Sequence, residues 1–256
     1  MIYELNSPVT EKYVSSGLAG STLKIIAMAT MLIDHIGASI IEKTMEDEPV
    51  LIIIDFIIRG IGRLAFPIYI FLLIEGYKYT RSKGRYLGRL VLFSAVSEIP
   101  FDLALFVKTE DFNKGIFYSL EAQNVFFTLA FGLIAVWLVD AIRKKYEDTD
   151  KSKLLQILSI IGISVVAQLL RTDYGFFGVV AIVIAYYAKD NTVPKRTFFM
   201  LIPLIAASPL EAVALVDAKL FEWYNGKRGL PLKWVFYLFY PVHLLILAGI
   251  CICLGL

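Results

Sequence analysis

Apolar residues run through this chain in long stretches, and most polar positions gather in short segments between them. The runs lack the strict alternation of a half-buried strand and are too continuous for the narrow stripe of a water-soluble helix. A run of roughly 18 or more mostly apolar residues crosses a hydrocarbon core of about 30 Å as a helix. About eight such spans are read here, near 22–42, 60–79, 86–107, 123–143, 153–170, 174–189, 196–216 and 232–254. The second has to be divided, because Val50 to Tyr79 is too long for one straight crossing. An amphipathic or re-entrant piece over 50–58 is expected before the span proper, with Gly60, Gly62 and Pro67 easing the break.

The expected fold is therefore all-α: a polytopic integral-membrane helical bundle, one domain over 1–256, entered from a polar segment over 1–20. Composition agrees, with 58% hydrophobic residues and a mean hydropathy of +0.69, well beyond a soluble domain. The opening MIYELNSPVTEKYVSSGLAG is polar and mixed in charge, unlike a cleavable signal peptide. Cys251 and Cys253 are the two cysteines. At i and i+2 of a helix they point to different faces, which argues against a disulfide between them.

The net charge of +2 says little, whereas its distribution orients the bundle. EKTMEDEP after the first span is acidic, KYTRSKGRYLGR after the second strongly basic, and KDNTVPKR after the sixth basic. The positive-inside rule then puts the N-terminus and the basic loops in the cytoplasm. Of the seven loops, only the last, EWYNGKRGLPLK, dissents, carrying a basic excess where the outside is expected.

Charges at membrane depth are costly and mark function. Lys24 and His35 are eleven residues apart, about three helical turns, so they share one face about 16 Å apart along the axis. Asp34 adjoins His35 in sequence but points about 100° away. Arg59 and Arg63 enter the second span, Glu98 and Asp102 lie in the third, and Asn124 opens the fourth. Arg171 and Asp173 join the fifth and sixth, and Tyr240 and His243 begin the eighth. These groups are expected to converge near the external side of one interior. Blander readings stand beside this one. Arg59 and Arg63 pair with Glu98 and Asp102 merely to hold the bundle, the basic run from Lys78 to Arg89 only sets topology, and His243 lies at a surface. No metal-ligand spacing, phosphate loop or nucleophile elbow appears, so neither a metal nor a nucleic-acid partner is expected.

STLKIIAMATMLIDHIG, RGIGRLAFPIYIFLLIEGYKYT, RYLGRLVLFSAVSEIPFDLA, NVFFTLAFGL, DYGFFGVVAIV and FYLFYPVHLLIL, in order over about 21–250, resemble the TraX family. Its founding members are associated with N-acetylation of the pilin of conjugative pili. The family is in turn similar to transmembrane acyltransferases of the acyltransferase-3 kind. These carry a basic residue, ten intervening residues and a histidine in their first span, and Lys24 and His35 stand at that spacing. The departure is Lys for the commoner Arg, which loses the bidentate fork and keeps the cation.

The resemblance implies an acetyltransferase of the bacterial cytoplasmic membrane that takes acetyl-CoA from the cytoplasm. Lys24, Lys78, Arg81, Arg85 and Arg89 would meet the phosphates, and His35 would act as general base or transient acetyl carrier. Arg59, Arg63 or Asn124 would stabilise the oxyanion, and Asp34, Glu98 or Asp102 would complete the catalytic group. Arg171, Asp173, Tyr240 and His243 would surround an acceptor amine or hydroxyl of a peptide N-terminus, a glycan or a lipid-linked sugar. The alternatives are a proton-coupled transporter using His35, Glu98, Asp102 and Arg63 as relay and substrate site, or an assembly factor that only binds a client.

Overall fold

The computed structural model describes residues 17–45, 48–231 and 233–256. Its elements are α1 Gly20–Ile36, a π-helical turn Gly37–Ile41, α2 Glu42–Thr44, α3 Pro49–Gly62, α4 Ala65–Tyr79 and α5 Lys83–Leu105. There follow α6 Thr109–Asn113, α7 Val125–Tyr146, α8 Asp150–Leu169, α9 Gly175–Tyr187 and α10 Val193–Ala207. A 3₁₀ stretch Pro209–Val216, α11 Asp217–Glu222 and α12 Lys233–Leu254 complete the chain. The β-bridges among the described residues are two isolated ones, Leu18 with Tyr224 and Gln123 with Thr172.

Among the described residues, five helical stretches are long and apolar enough to cross a membrane: Gly20–Thr44, Pro49–Tyr79, Val125–Tyr146, Asp150–Leu169 and Trp234–Leu254. Three of the eight expected spans fall outside that set. α5 is long but carries Lys83, Arg85, Arg89, Glu98 and Asp102, while α9 and α10 have 13 and 15 residues. The division of the second span also differs from expectation. Helix continues through Gly60 and Gly62, and the break is a single turn at Arg63–Leu64 before α4. The Ile52, Ile53, Phe56 and Ile57 side chains of α3 are exposed, as on a lipid-facing helix.

The core is built from the inward faces of α1, α4, α7, α9, α10 and α12, with Leu23, Ala27, Phe66, Ile70, Leu133, Ile182, Leu201 and Leu244 buried together. One end of the bundle gathers the basic loops. Tyr77 and Lys83 meet Asp140 there, at 2.9 and 2.6 Å. At the opposite end Lys43 reaches the Ala104 carbonyl, at 3.3 Å, and Thr109 bonds the carbonyl of Leu256 through backbone and side chain, at 3.0 and 2.6 Å.

The segment before α12 belongs to the basic end, and this resolves the dissenting loop. The Gly20 and Ser21 N–H groups, unsatisfied at the start of α1, donate to the Lys227 and Arg228 carbonyls at 2.8 and 3.0 Å. Gly229 makes that contact feasible: its φ is +73°, and a Cβ there would overlap the Ser21 hydroxyl. Hence 196–216 is not a crossing. α10 stops at extended Ser208 before Pro209, which cannot extend the ladder. The 3₁₀ stretch and α11 then carry the chain back to Trp223 and Tyr224, which lie against Leu18. α12 leaves from the basic end and delivers Leu256 to the opposite one.

Candidate functional site

Lys24 and His35 are on one helix, α1, as their spacing requires. They open on two different cavities. The larger, about 510 Å³, begins at the basic end among Gly20, Lys24, Thr80, Arg89 and Arg228 and runs inward past Tyr69, Leu72, Leu129 and Met31 to Tyr240. The Lys24 ammonium lies 4.9 Å from the centre of the Phe236 ring and forms no ion pair among the described residues. Arg89 Nε is buried there without a hydrogen-bond partner among the described residues. Three cations thus ring an entrance with an apolar, aromatic throat behind it, the layout of a site for a slender molecule with an anionic end.

The second cavity, about 250 Å³, is lined by Asp34, His35, Glu42, Arg59, Arg63, Asp173 and Tyr174 among others, towards the opposite end. Asp34 does not touch the imidazole next to it in sequence. Its carboxylate is clasped by Arg59 at 2.8 Å and Arg63 at 2.7 Å. Arg59 also pairs with Glu42 at 3.1 Å and Arg63 with Glu211 at 3.3 Å. Gly62 permits this packing, since a Cβ there would overlap the Asp34 side chain. The blander reading, in which Arg59 and Arg63 pair with Glu98 and Asp102, gives way to nearer carboxylates on α1, α2 and the 3₁₀ stretch.

His35 and His243 meet where the two cavities approach each other. Nδ1 of His35 is 2.7 Å from Nε2 of His243, and Nδ1 of His243 is 2.7 Å from the Phe239 carbonyl. Both rings are buried. The Tyr240 ring, the inner end of the larger cavity, stands edge-on to both imidazoles at centroid distances of 5.8 and 5.6 Å. Its hydroxyl is buried with the Val125 N–H directed at its oxygen, and its own proton has no acceptor among the described residues. The π-helical turn follows directly on α1, and the Ser39 hydroxyl in it donates to the His35 carbonyl at 2.6 Å, tying down the backbone behind the ring.

Other expected site residues lie elsewhere. Asn124 caps α7: Oδ1 accepts from Phe126 N–H, while Nδ2 donates to Glu98 and to the Ser94 carbonyl. Its amide is fully committed, so it has no donor left for an oxyanion. Glu98 and Asp102 belong to this packet, Asp102 accepting from Ser119 N–H at 3.0 Å, and neither lines either cavity. The convergence on one interior is thus split in two. Arg171 is exposed with φ of 55° and bonds the Leu120 carbonyl, whereas Asp173 faces the polar cavity. Of the basic run, Arg89 lines the larger cavity, while Lys78, Arg81 and Arg85 are exposed outside its lining. His243 is buried against His35 instead of lying at a surface.

Arg228, Glu42 and Glu211 were not singled out in the sequence. The signal for Arg228 was the dissenting basic loop, whose excess of positive charge marks the Lys24 end.

Comparison with known proteins agrees with the architecture. No solved structure matches the chain. A protein of Dichelobacter nodosus named "Probable fimbrial assembly protein FimC, serogroup H1" is 29% identical over 245 residues, covering 89% of this chain and 93% of the relative. The model of the TraX protein family matches residues 19–251, a stretch that takes in both cavities and the histidine pair, and the chain belongs to that family.

Proposed function

We propose that this protein is an integral-membrane acetyltransferase. It moves an acetyl group from acetyl-CoA, taken up at the basic, cytoplasmic end, to an amine or hydroxyl reaching the polar cavity from the other side of the bacterial cytoplasmic membrane. The observation that carries the reading is the arrangement of the two cavities about His35 and Tyr240. One has a cationic entrance and an apolar throat, the other is lined by charge, and one ring layer separates them.

The chain's own residues fit such a donor. Lys24, Arg89 and Arg228 supply cations for phosphates at the entrance, and the aromatic throat suits a thin, weakly polar arm. The 16 Å or so from Lys24 to His35 along α1 matches the need to hold phosphates at one end and a thioester at the other. His35 accepts the proton of the acceptor as it attacks the thioester carbonyl, and later returns it to the departing thiolate. The Tyr240 hydroxyl, whose proton has no acceptor among the described residues, donates to the oxygen on which charge develops. Arg59 and Arg63, engaged by three carboxylates, fix the shape of the acceptor cavity.

A peptide acceptor is favoured over a glycan by the name of the Dichelobacter relative, which ties that protein to fimbrial assembly. The transporter reading loses support because Glu98 and Asp102, half of its relay, are outside both cavities.

Purified protein mixed with radiolabelled acetyl-CoA tests the proposal. Wild type is expected to bind the donor and release free CoA when an amine or hydroxyl acceptor is added. His35→Ala keeps binding and loses release, whereas Lys24→Glu weakens binding by roughly tenfold, the worth of one well-placed ion pair. Neither binding nor release with any acceptor would overturn it.

A further inference from the structure

The two histidines of this chain form one unit, and their hydrogen bonds determine which nitrogen of each ring carries a proton. A carbonyl oxygen only accepts, so Nδ1 of His243, 2.7 Å from the Phe239 oxygen, must be the protonated nitrogen of that ring. In the neutral ring Nε2 is then a lone pair. It lies 2.7 Å from Nδ1 of His35, which must therefore donate, and the remaining nitrogen of His35, Nε2, keeps its lone pair. The two ring planes differ by 4° with centroids 5.0 Å apart. At an N···N distance of 2.7 Å this puts the rings edge to edge in nearly one plane, where the hydrogen bond is straight. No described residue hydrogen-bonds Nε2 of His35, and the ring borders the polar cavity.

Three surroundings make the arrangement rigid. The Phe239 ring stacks on His243 at 4.7 Å, Tyr240 abuts both imidazoles edge-on, and the Ser39 hydroxyl holds the backbone behind His35. Pro241, two residues before His243, removes one main-chain bond from α12 at this level.

We infer that His243 is a positioning residue and proton relay for His35. It holds His35 in the tautomer whose Nε2 can act as a base, and it accepts the Nδ1 proton when Nε2 is protonated. This rests on the reading of His35 as the base of acetyl transfer. The acceptor X–H attacks the thioester carbonyl, and its proton goes to Nε2 of His35. The Nδ1 proton of His35 moves to Nε2 of His243, whose cation is held by the Phe239 carbonyl. When the C–S bond breaks, the protons move back and Nε2 of His35 delivers one to the thiolate. The sum is X–H plus thioester giving acetyl-X plus thiol, with both histidines restored.

Because the chain has two histidines, ¹⁵N-histidine labelling of untagged protein in detergent reads every imidazole nitrogen directly, whether or not a substrate is known. Wild type is expected to show protonated Nδ1 and unprotonated Nε2 for both rings, with a coupling across the His35–His243 hydrogen bond. In His243→Phe, which keeps a flat ring and loses the acceptor, the His35 signals shift towards protonated Nε2. In His243→Gln the amide oxygen can still accept from Nδ1, so the tautomer is retained, but the relay is lost. Where transfer is measurable, His243→Phe should lower turnover by roughly 10²-fold, the scale of losing a competent base, with donor KM little changed. His243→Gln should recover part of that loss. Protonated Nε2 on His35 in wild type, or a Gln variant whose His35 tautomer matches Phe, would overturn the inference. Failure of acetyl transfer with the expected nitrogen signals intact would instead count against the proposed reaction.

Discussion

Asp34 and His35 are adjacent in sequence and work in different neighbourhoods. The 100° between successive helical side chains sends the carboxylate to α3, where two arginines hold it, and the imidazole to α12. Asn124 makes the complementary point, being a buried amide whose every polar atom is spent on structure. Asn124→Ala should therefore cost about 1–2 kcal/mol, from a lost helix cap and a Glu98 left with only the backbone N–H of residue 124 as donor. Thermal unfolding in detergent would record the loss, while the folded fraction keeps its donor affinity. An unchanged melting temperature with abolished turnover would return Asn124 to the catalytic group. The Lys24–His35 alignment was legible in the sequence because it depends on one helix alone. The His35–His243 pair was not, since 208 residues separate its members and only the packing of α12 on α1 brings them together.

At the scale of elements, the return of the chain after α10 alters the topology most. Length and apolarity made 196–216 resemble a crossing, although Pro209 and the charge of Glu211 inside it were local warnings. The charge pattern was the better witness, because the basic EWYNGKRGLPLK loop fits the rule once it joins the other basic loops. In a background with Cys251 and Cys253 replaced by Ala, K227C should react with an impermeant thiol reagent from the same side as S82C. L256C should react only from the opposite side. Labelling of K227C and L256C from one side would refute the return of the chain. The division at Arg63–Leu64 was half legible: the length of the run demanded a break, but which turn gave way depended on Arg63 being drawn to Asp34 and Glu211.

For the whole molecule, two cavities from opposite ends stop at one layer of rings, and the proposed chemistry belongs to that layer. The sequence supplied the helical class, the polar depth and the family resemblance. It did not supply the separation into a cation-ringed cavity and a charge-lined one, which arises from where α5, α7 and α12 pack. The most direct test of the central claim is transfer across a sealed vesicle. Membranes are prepared with the basic face outward and with a short peptide bearing a free N-terminus, or a hexosamine, enclosed within. Radiolabelled acetyl-CoA is then added outside. The account predicts label on the enclosed acceptor in wild-type vesicles, none in His35→Ala vesicles, and none when the donor is confined to the opposite face. Label that never reaches the lumen, or that reaches it equally with His35→Ala, would contradict it.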